Sequence, residues 1–267
     1  MIRIVFWNVG KKDLTNLVIA LADATQADII FSIENVAEKS HILQSLKSIS
    51  SDFYIPNAVG ERFHCFCRKK ELDVSEVHNG FRTSVRILRN GGIPILLAFV
   101  HGIDMRNHDH AVRQSEAQSL VTEINFVREQ KGTNKLVFMG DFNMNPYDSG
   151  MYLAAEFNAM MTKECVKPKK RIFQNREYEF YYNPMWSLFG DNTVGPAGTV
   201  YDTSNVGPYG WSMLDQVVLN HSVTDIFEEV KILTHAGTNS LMNSRGHSDS
   251  KHASDHFPIQ LTLRSEK

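Results

Sequence analysis

The chain has 267 residues and sets 28 Lys and Arg against 30 Asp and Glu, so its net charge of -2 leaves no global basic footprint for a nucleic acid. Three cysteines, Cys65, Cys67 and Cys165, are too few for a disulfide framework and wrongly spaced for a four-ligand zinc site, and no apolar run approaches the length of a membrane span. The leaderless amino terminus makes a soluble cytoplasmic protein the expectation, and the lack of a Pro/Gly/Ser-rich linker makes 1–267 one domain with a sizeable core.

Ile2 to Trp7 is rich in β-branched and aromatic residues and reads as a first strand, with Asn8 at its carboxyl end and Gly10 beyond. Leu14, Leu17, Val18 and Leu21 then recur at helical spacing from Lys12 to Ala24, and an apolar strand from Ala27 to Ile33 stops at Glu34. A second helix is predicted from Val36 to about Ile49, with Ile42, Leu43 and Leu46 as its buried stripe.

From Phe53 to Val100 the pattern changes to short runs: Phe63–Arg68, Leu72–Val77, Arg82–Leu88 and Ile93–Val100. Turn signals at Asn79-Gly80 and Asn90-Gly91-Gly92 join them into antiparallel hairpins. Glu61 opens the first of these strands and His101 closes the last. A long helix from about His110 to Gln130 follows, with Ala117, Leu120, Val121, Ile124 and Val127 on one side.

Lys135 to Met139 suits a strand buried on both faces, and Gly140 then lets the chain turn in front of Asp141 and Asn143. Taken alone, Gly-Asp-Phe-Asn is an ordinary turn as readily as an active site. Met151 to Met161 looks helical. Lys167-Pro168-Lys169-Lys170-Arg171, with Arg176, forms the only dense basic cluster; it reads as a solvated loop or as a phosphate-contacting one, with Lys169, Lys170, Arg171 and Arg176 the candidates for substrate binding. Tyr178 to Trp211 interleaves aromatics with Gly and Pro and reads as an ordered loop. Leu214 to Leu219 returns to a strand with Asp215 near its start. A polar loop from Ala236 to Ala253 leads through Ser254-Asp255-His256-Phe257-Pro258 into a last strand ending near Leu263.

Apolar strands that repeatedly terminate in Asn, Glu, His or Asp supply the hard oxygens and imidazoles that metal-assisted phosphate chemistry requires. The pieces Trp7-Asn8, Ile33-Glu34, Phe99-Val100-His101, Gly140-Asp141-Phe142-Asn143, Leu214-Asp215 and Ser254-Asp255-His256-Phe257-Pro258 occur in the order of the endonuclease/exonuclease/phosphatase superfamily. The chain resembles that deoxyribonuclease I-like superfamily over essentially its whole length. The resemblance implies an α/β (α+β) fold, a four-layer sandwich of two packed mixed β-sheets flanked by α-helices.

It also implies a divalent-metal-dependent phosphodiesterase. Mg²⁺ or Mn²⁺ would be held by Glu34 with Asn8 and Asp255. Asp141 would orient or deprotonate the attacking water, and Asn143 would hydrogen-bond the phosphoryl group. His256, braced by Asp215, would contact the scissile phosphate, and His101, braced by Glu61 of a Glu-Arg-Phe segment similar to that of deoxyribonuclease I, would protonate the leaving oxygen. Ile33 and Phe99-Val100 depart from the family's usual Gln and Asn-Thr, which bears on substrate contacts and spares the reactive groups. The tyrosine pattern of the abasic-site endonucleases is missing, which disfavours a role in DNA repair. A nuclease acting on DNA or RNA is the first expectation. A phosphatase or phosphodiesterase on a phospholipid headgroup, inositol phosphate or other small phosphorylated molecule is the second, and an inactive binding module of the same fold the third.

Overall fold

A strand covered on both faces needs no polar side, and this accounts for the near-continuous apolar runs of the chain. The computed structural model describes residues 1–58, 60, 62–68, 72–191, 194–204 and 208–265. In chain order the principal strands are β1 (Ile2–Asn8), β2 (Ile29–Ile33), β3 (Phe63–Cys67), β4 (Asp73–Asn79), β5 (Thr83–Arg89) and β6 (Ile95–His101). They continue with β7 (Lys135–Asp141), β8 (Ala159–Met160), β9 (Tyr181–Tyr182), β10 (Asp215–Asn220), β11 (Phe227–Ile232) and β12 (Ile259–Leu263). One sheet has five strands in the order β11-β12-β1-β2-β3, the other seven in the order β4-β5-β6-β7-β10-β9-β8.

The two sheets pack face to face. Ile4, Phe6, Phe31 and Ile33 of the smaller sheet meet Leu97, Phe99, Val137 and Met139 of the larger, and the Phe31 and Phe99 rings stack with centroids 3.4 Å apart. Truncating such a ring to Ala leaves a cavity and costs about 3–5 kcal/mol. The alternate residues of the same strands point outward. Val5, Trp7, Ile30 and Phe66 lie against Val18 and Leu21 of α1 (Thr15–Thr25) and Ile42 and Leu46 of α2 (Lys39–Leu46). Leu96, Ala98, Leu136 and Phe138 lie against Ala117, Leu120 and Ile124 of α3 (His110–Lys131). Helix, sheet, sheet and helix thus make the four layers expected of the deoxyribonuclease I-like fold.

Local chemistry sets the ends of α3. The Asp109 carboxylate accepts from the Val112 N–H at its start, while Gly132 takes the left-handed conformation at its end, where Arg128 and Lys131 complement the helix dipole. The helix predicted from Met151 to Met161 is corrected by the structure: helical conformation is confined to Ser149–Tyr152. Asn158 adopts a left-handed φ of 45°, and Phe157 packs edge-on against Phe138, so the apolar spacing of this stretch is satisfied by a turn leading into β8. The second predicted helix is likewise shorter, because Val36 is exposed and the chain enters α2 through an extended Glu38.

Among the described residues of the aromatic stretch from Tyr178 to Trp211, rings pack as in Tyr182 on Phe227 and Tyr201 on Trp211, and the stretch contains β9 and a short ribbon pairing Val200–Asp202 with Gly210–Ser212. The polar 236–253 loop is pinned where Lys12 Nζ donates to the carbonyls of Ser250 and Ala253 at 2.5 and 2.6 Å. Leu241 is buried within it, so it is less peripheral than its composition predicts. Among the described residues no helix is long and apolar enough to cross a membrane.

Candidate active site

Strand register brings the polar strand ends together. Parallel pairing of β1 with β2 sets Asn8 beside Ile33, so Glu34 emerges next to Asn8. Parallel pairing of β6 with β7 sets His101 opposite Asp141, and antiparallel pairing of β7 with β10 sets Asp215 opposite the same Asp141. Antiparallel pairing of β1 with β12 brings the Ser254–Phe257 segment to the Asn8 end. Gly140 is needed in β7 because a Cβ there would stand 2.0 Å from the Val100 carbonyl oxygen.

These residues line one cleft of about 550 Å³, which contains Asn8, Glu34, His101, Asp141, Asn143, Asp255 and His256. Asp215 lies directly beneath, fully buried. At the centre the Asn8 Nδ2 donates to Asp141 Oδ2 at 3.0 Å, while the Asn143 backbone N–H donates to Asp141 Oδ1 at 2.9 Å. Asn8 Oδ1 accepts from the Gly10 N–H at 3.0 Å. Asn143 holds a left-handed φ of 51° and spends one amide hydrogen on the Gly102 carbonyl at 3.2 Å, which leaves it one further N–H donor. Arg113 of α3 donates to the Asn143 carbonyl at 2.9 Å and so fastens this turn to the helix layer.

The His256 side is clamped to β1. Ser254 Oγ donates to the Asn8 carbonyl at 2.6 Å and accepts from the His256 N–H at 3.1 Å, while Trp7 Nε1 donates to the His256 carbonyl at 2.8 Å. His256 Nδ1 lies 2.8 Å from Asp215 Oδ2, and its Nε2 faces Asp141 Oδ2 at 4.0 Å. Burial opposes a charge on this ring, but Asp215 and then Asp141 outweigh it and push the imidazole up to about 10. His256 is therefore a buried imidazolium held between two carboxylates.

His101 is its opposite. Burial drives this imidazole down to about 4; Asp141 works against that shift, and Arg62 and Arg82 reinforce it. Arg62 Nη2 lies 3.1 Å from His101 Nδ1, and His101 Nε2 lies 3.4 Å from Glu34 Oε1. An arginine can only donate, so Nδ1 is the acceptor and Nε2 carries the proton. A neutral ring of this kind donates a hydrogen bond but is a poor proton source at neutral pH. The Glu61 predicted to brace it lies outside the described residues.

Glu34 stands on strained backbone, with φ 58°, a conformation that costs a non-glycine residue on the order of 1 kcal/mol or more and that recurs where chemistry fixes the side chain. Burial raises its carboxyl above the usual range; Lys11 opposes this, and Asp141 and Asp255 add to it. Asp141 is raised as well, first by burial, with His256 pulling the other way. Asp255 Oδ1 is 3.3 Å from Ser254 Oγ, and a Cβ on Gly10 would approach that carboxylate oxygen to 2.9 Å, so the close fit depends on glycine. Glu34, Asp141 and Asp255 line the same cleft as the Asn8 amide, and the two aspartates add to the raising of Glu34, a repulsion that a divalent cation would relieve. Asp141, Asp215 and His256 also converge, their nearest donor atoms lying within 4.8 Å of one another.

Arg62, Arg82, Arg106 and Lys11 on the cleft wall were not foreseen. The adjacency of Arg62 to Glu61 and of Arg82 to the Asn79-Gly80 turn is their only trace in the sequence. The predicted substrate-binding cluster does not join the cleft. Lys170–Phe173 and Arg176–Glu179 form a hairpin near the opposite end of β7 and β10, about 20 Å along the sheet at ~3.3 Å per residue. There Lys170 pairs with Glu177 at 2.8 Å, Arg171 lies over the Phe180 ring, Lys169 lines a separate hollow and Arg176 is exposed.

The model of the Endonuclease/Exonuclease/phosphatase family matches residues 5–256. The chain belongs to this family. Members of the endonuclease/exonuclease/phosphatase family hydrolyse phosphoesters, nucleases among them. Solved structures with the same fold include a family protein from Bacteroides thetaiotaomicron, at 15% identity over 99% of this chain and 98% of that one with a TM-score of 0.60. Another is D. rerio TDP2 complexed with a single-strand DNA product, at 15% identity over 98% of each chain with a TM-score of 0.58. The endonuclease domain of the retrotransposon TRAS1 aligns at 15% identity over 100% of both chains with a TM-score of 0.56. No curated protein matches the chain by sequence.

Proposed function

We propose that the protein is a divalent-metal-dependent phosphodiesterase that cleaves nucleic acid. The observation that carries this reading is the convergence of Asn8, Glu34, His101, Asp141, Asn143, Asp255 and His256 on one cleft whose wall also presents Lys11, Arg62, Arg82 and Arg106. Several cations spaced along a cleft wall suit a substrate that carries more than one phosphate, as a nucleic-acid strand does. The neighbours described as an endonuclease domain and as a DNA-product complex support the same choice.

Glu34, with Asn8 and Asp255 beside it, would hold the Mg²⁺ or Mn²⁺, which when bound supplies charge neutralisation at the phosphate. We favour this set over Asp141, Asp215 and His256 because the 2.8 Å bond between His256 and Asp215 already engages the atoms a metal would need. Asp141, oriented by Asn8 and by the Asn143 N–H, accepts a proton from the attacking water. The His256 imidazolium and the spare Asn143 N–H face the charge that develops on the phosphoryl oxygens. His101, neutral and with its proton on Nε2, donates a hydrogen bond to the leaving oxygen, which takes its proton from solvent; this reading departs from the proton transfer expected from sequence.

The test is incubation with Mg²⁺ or Mn²⁺ and single- and double-stranded DNA, RNA, inositol phosphates and sphingomyelin. Nucleic-acid cleavage that Asp141→Ala abolishes is the expected result. Hydrolysis of the lipid or inositol substrates alone would overturn it.

A further inference from the structure

Phe81 sits at the turn between β4 and β5 and is 79% exposed, an apolar ring left in water at the mouth of a polar cleft. Two cleft-wall residues flank it: the Arg62 and Arg82 guanidinium carbons lie 5.5 and 5.3 Å from its centroid. Both guanidiniums lie over the ring at cation–π distance, and the ring nevertheless stays largely open to solvent. Both arginines are anchored. Arg62 donates to the Phe81 carbonyl at 2.6 Å and to His101 at 3.1 Å, while Arg82 donates to the Gly102 carbonyl at 3.2 Å and pairs with Glu116 at 3.6 Å. Arg62 thus links the Phe81 carbonyl to His101, which places the ring beside the Arg62–Arg82 wall of the cleft.

We propose that Phe81 is a stacking platform for an unpaired base next to the scissile phosphate of a single-stranded nucleic acid, with Arg62 and Arg82 facing the adjoining backbone. This rests on the nuclease reading above and narrows it to a substrate class. Every base offers a flat π face, so an open aromatic ring binds it without regard to sequence, and flanking cations match the phosphates on either side. Bases inside a duplex already stack on one another, which leaves such a ring no partner. Charge complementarity separates this surface from a lipid-docking patch: the ring stands among arginines, and the exposed Ile172 and Phe173 lie on the distant hairpin.

The experiment measures kcat/KM of the full chain with Mg²⁺ on a single-stranded oligothymidylate octamer and on a duplex of the same length, for wild type and for Phe81→Ala, Phe81→Leu and Phe81→Trp. Thermal midpoints accompany each variant to confirm folding. Stacking predicts that Ala and Leu lower single-strand kcat/KM about tenfold, that Trp retains or raises it, and that duplex cleavage changes less. Wild-type levels in Phe81→Ala, or rescue by Leu as complete as by Trp, would overturn the platform while leaving the nuclease reading in place. If the wild-type protein cuts no nucleic acid, the parent reading fails and this one with it.

Discussion

The two ends of the seven-stranded sheet both gather charged groups and use them in opposite ways. At the Lys170–Glu179 hairpin charges meet opposite ones, Lys170 with Glu177 and Arg128 with Glu179, and Arg171 rests over the Phe180 ring. At the Asp141 end, carboxylates are packed against carboxylates, Glu34 and Asp141 are raised by burial, and His256 is charged where burial disfavours charge. Charge density in a sequence cannot distinguish these cases. Strong perturbation by burial and by close carboxylates inside a cleft does distinguish them, because such groups cluster where chemistry uses them.

Several substitutions would break that contrast. Asp141→Asn or His256→Ala is expected to lower phosphodiester hydrolysis at least about 10³-fold with the fold retained, as assayed by initial rates alongside circular dichroism; substantial activity in either would remove the centre from the mechanism. Removing divalent ions by chelation is expected to abolish turnover, with recovery on adding Mg²⁺ or Mn²⁺, and the same chelation should leave Glu34→Gln unchanged in thermal midpoint. Replacing Arg62 by Ala frees His101 Nδ1 and withdraws one cation from the wall, and a loss of roughly 10–100-fold in kcat/KM is expected. The combined replacement of Lys169, Lys170, Arg171 and Arg176 by Ala is expected to change activity less than about twofold in moderate salt, and a larger loss would bring the hairpin into substrate binding.

The smallest effect concerns pH. Asp13 and Asp202 are both lowered from the usual carboxylate range by hydrogen bonds, from Thr15 and Ser204 respectively. A carboxyl lowered in the folded state stabilises above the unfolded value of about 3.9 and loses that contribution as pH falls through its folded value. These two carboxyls should thus lose their small contributions as pH falls below about 4, and Asp202→Asn should flatten the dependence of the thermal midpoint there.

Much of this arrangement was legible beforehand for a specific reason. Strand ends at Asn8, Glu34, His101, Asp141 and Asp215 are marked by an abrupt change from apolar to polar, and register in two buried sheets leaves those ends little freedom in where they meet. The Ser254–Pro258 segment was found by its resemblance alone, since nothing in its spacing reveals that Ser254 and Trp7 lock it to β1. The neutral state of His101 was not legible, because it depends on burial and on guanidiniums from Arg62 and Arg82, far from it in sequence. The Met151–Met161 helix failed because apolar spacing does not say whether Phe157 reaches Phe138 from a helix or from a turn.

The pairing of β1 with β12 gives the site a temporal character. Asn8 and Ser254 stand 246 residues apart, yet Ser254 and the Trp7 indole fix the His256 segment only when β12 docks beside β1. A growing chain without that strand has Asp141 but neither the imidazolium nor the clamp that sets it. Such long-range closure is slow to form, so hydrolytic competence should arrive late, as a readout of completed folding.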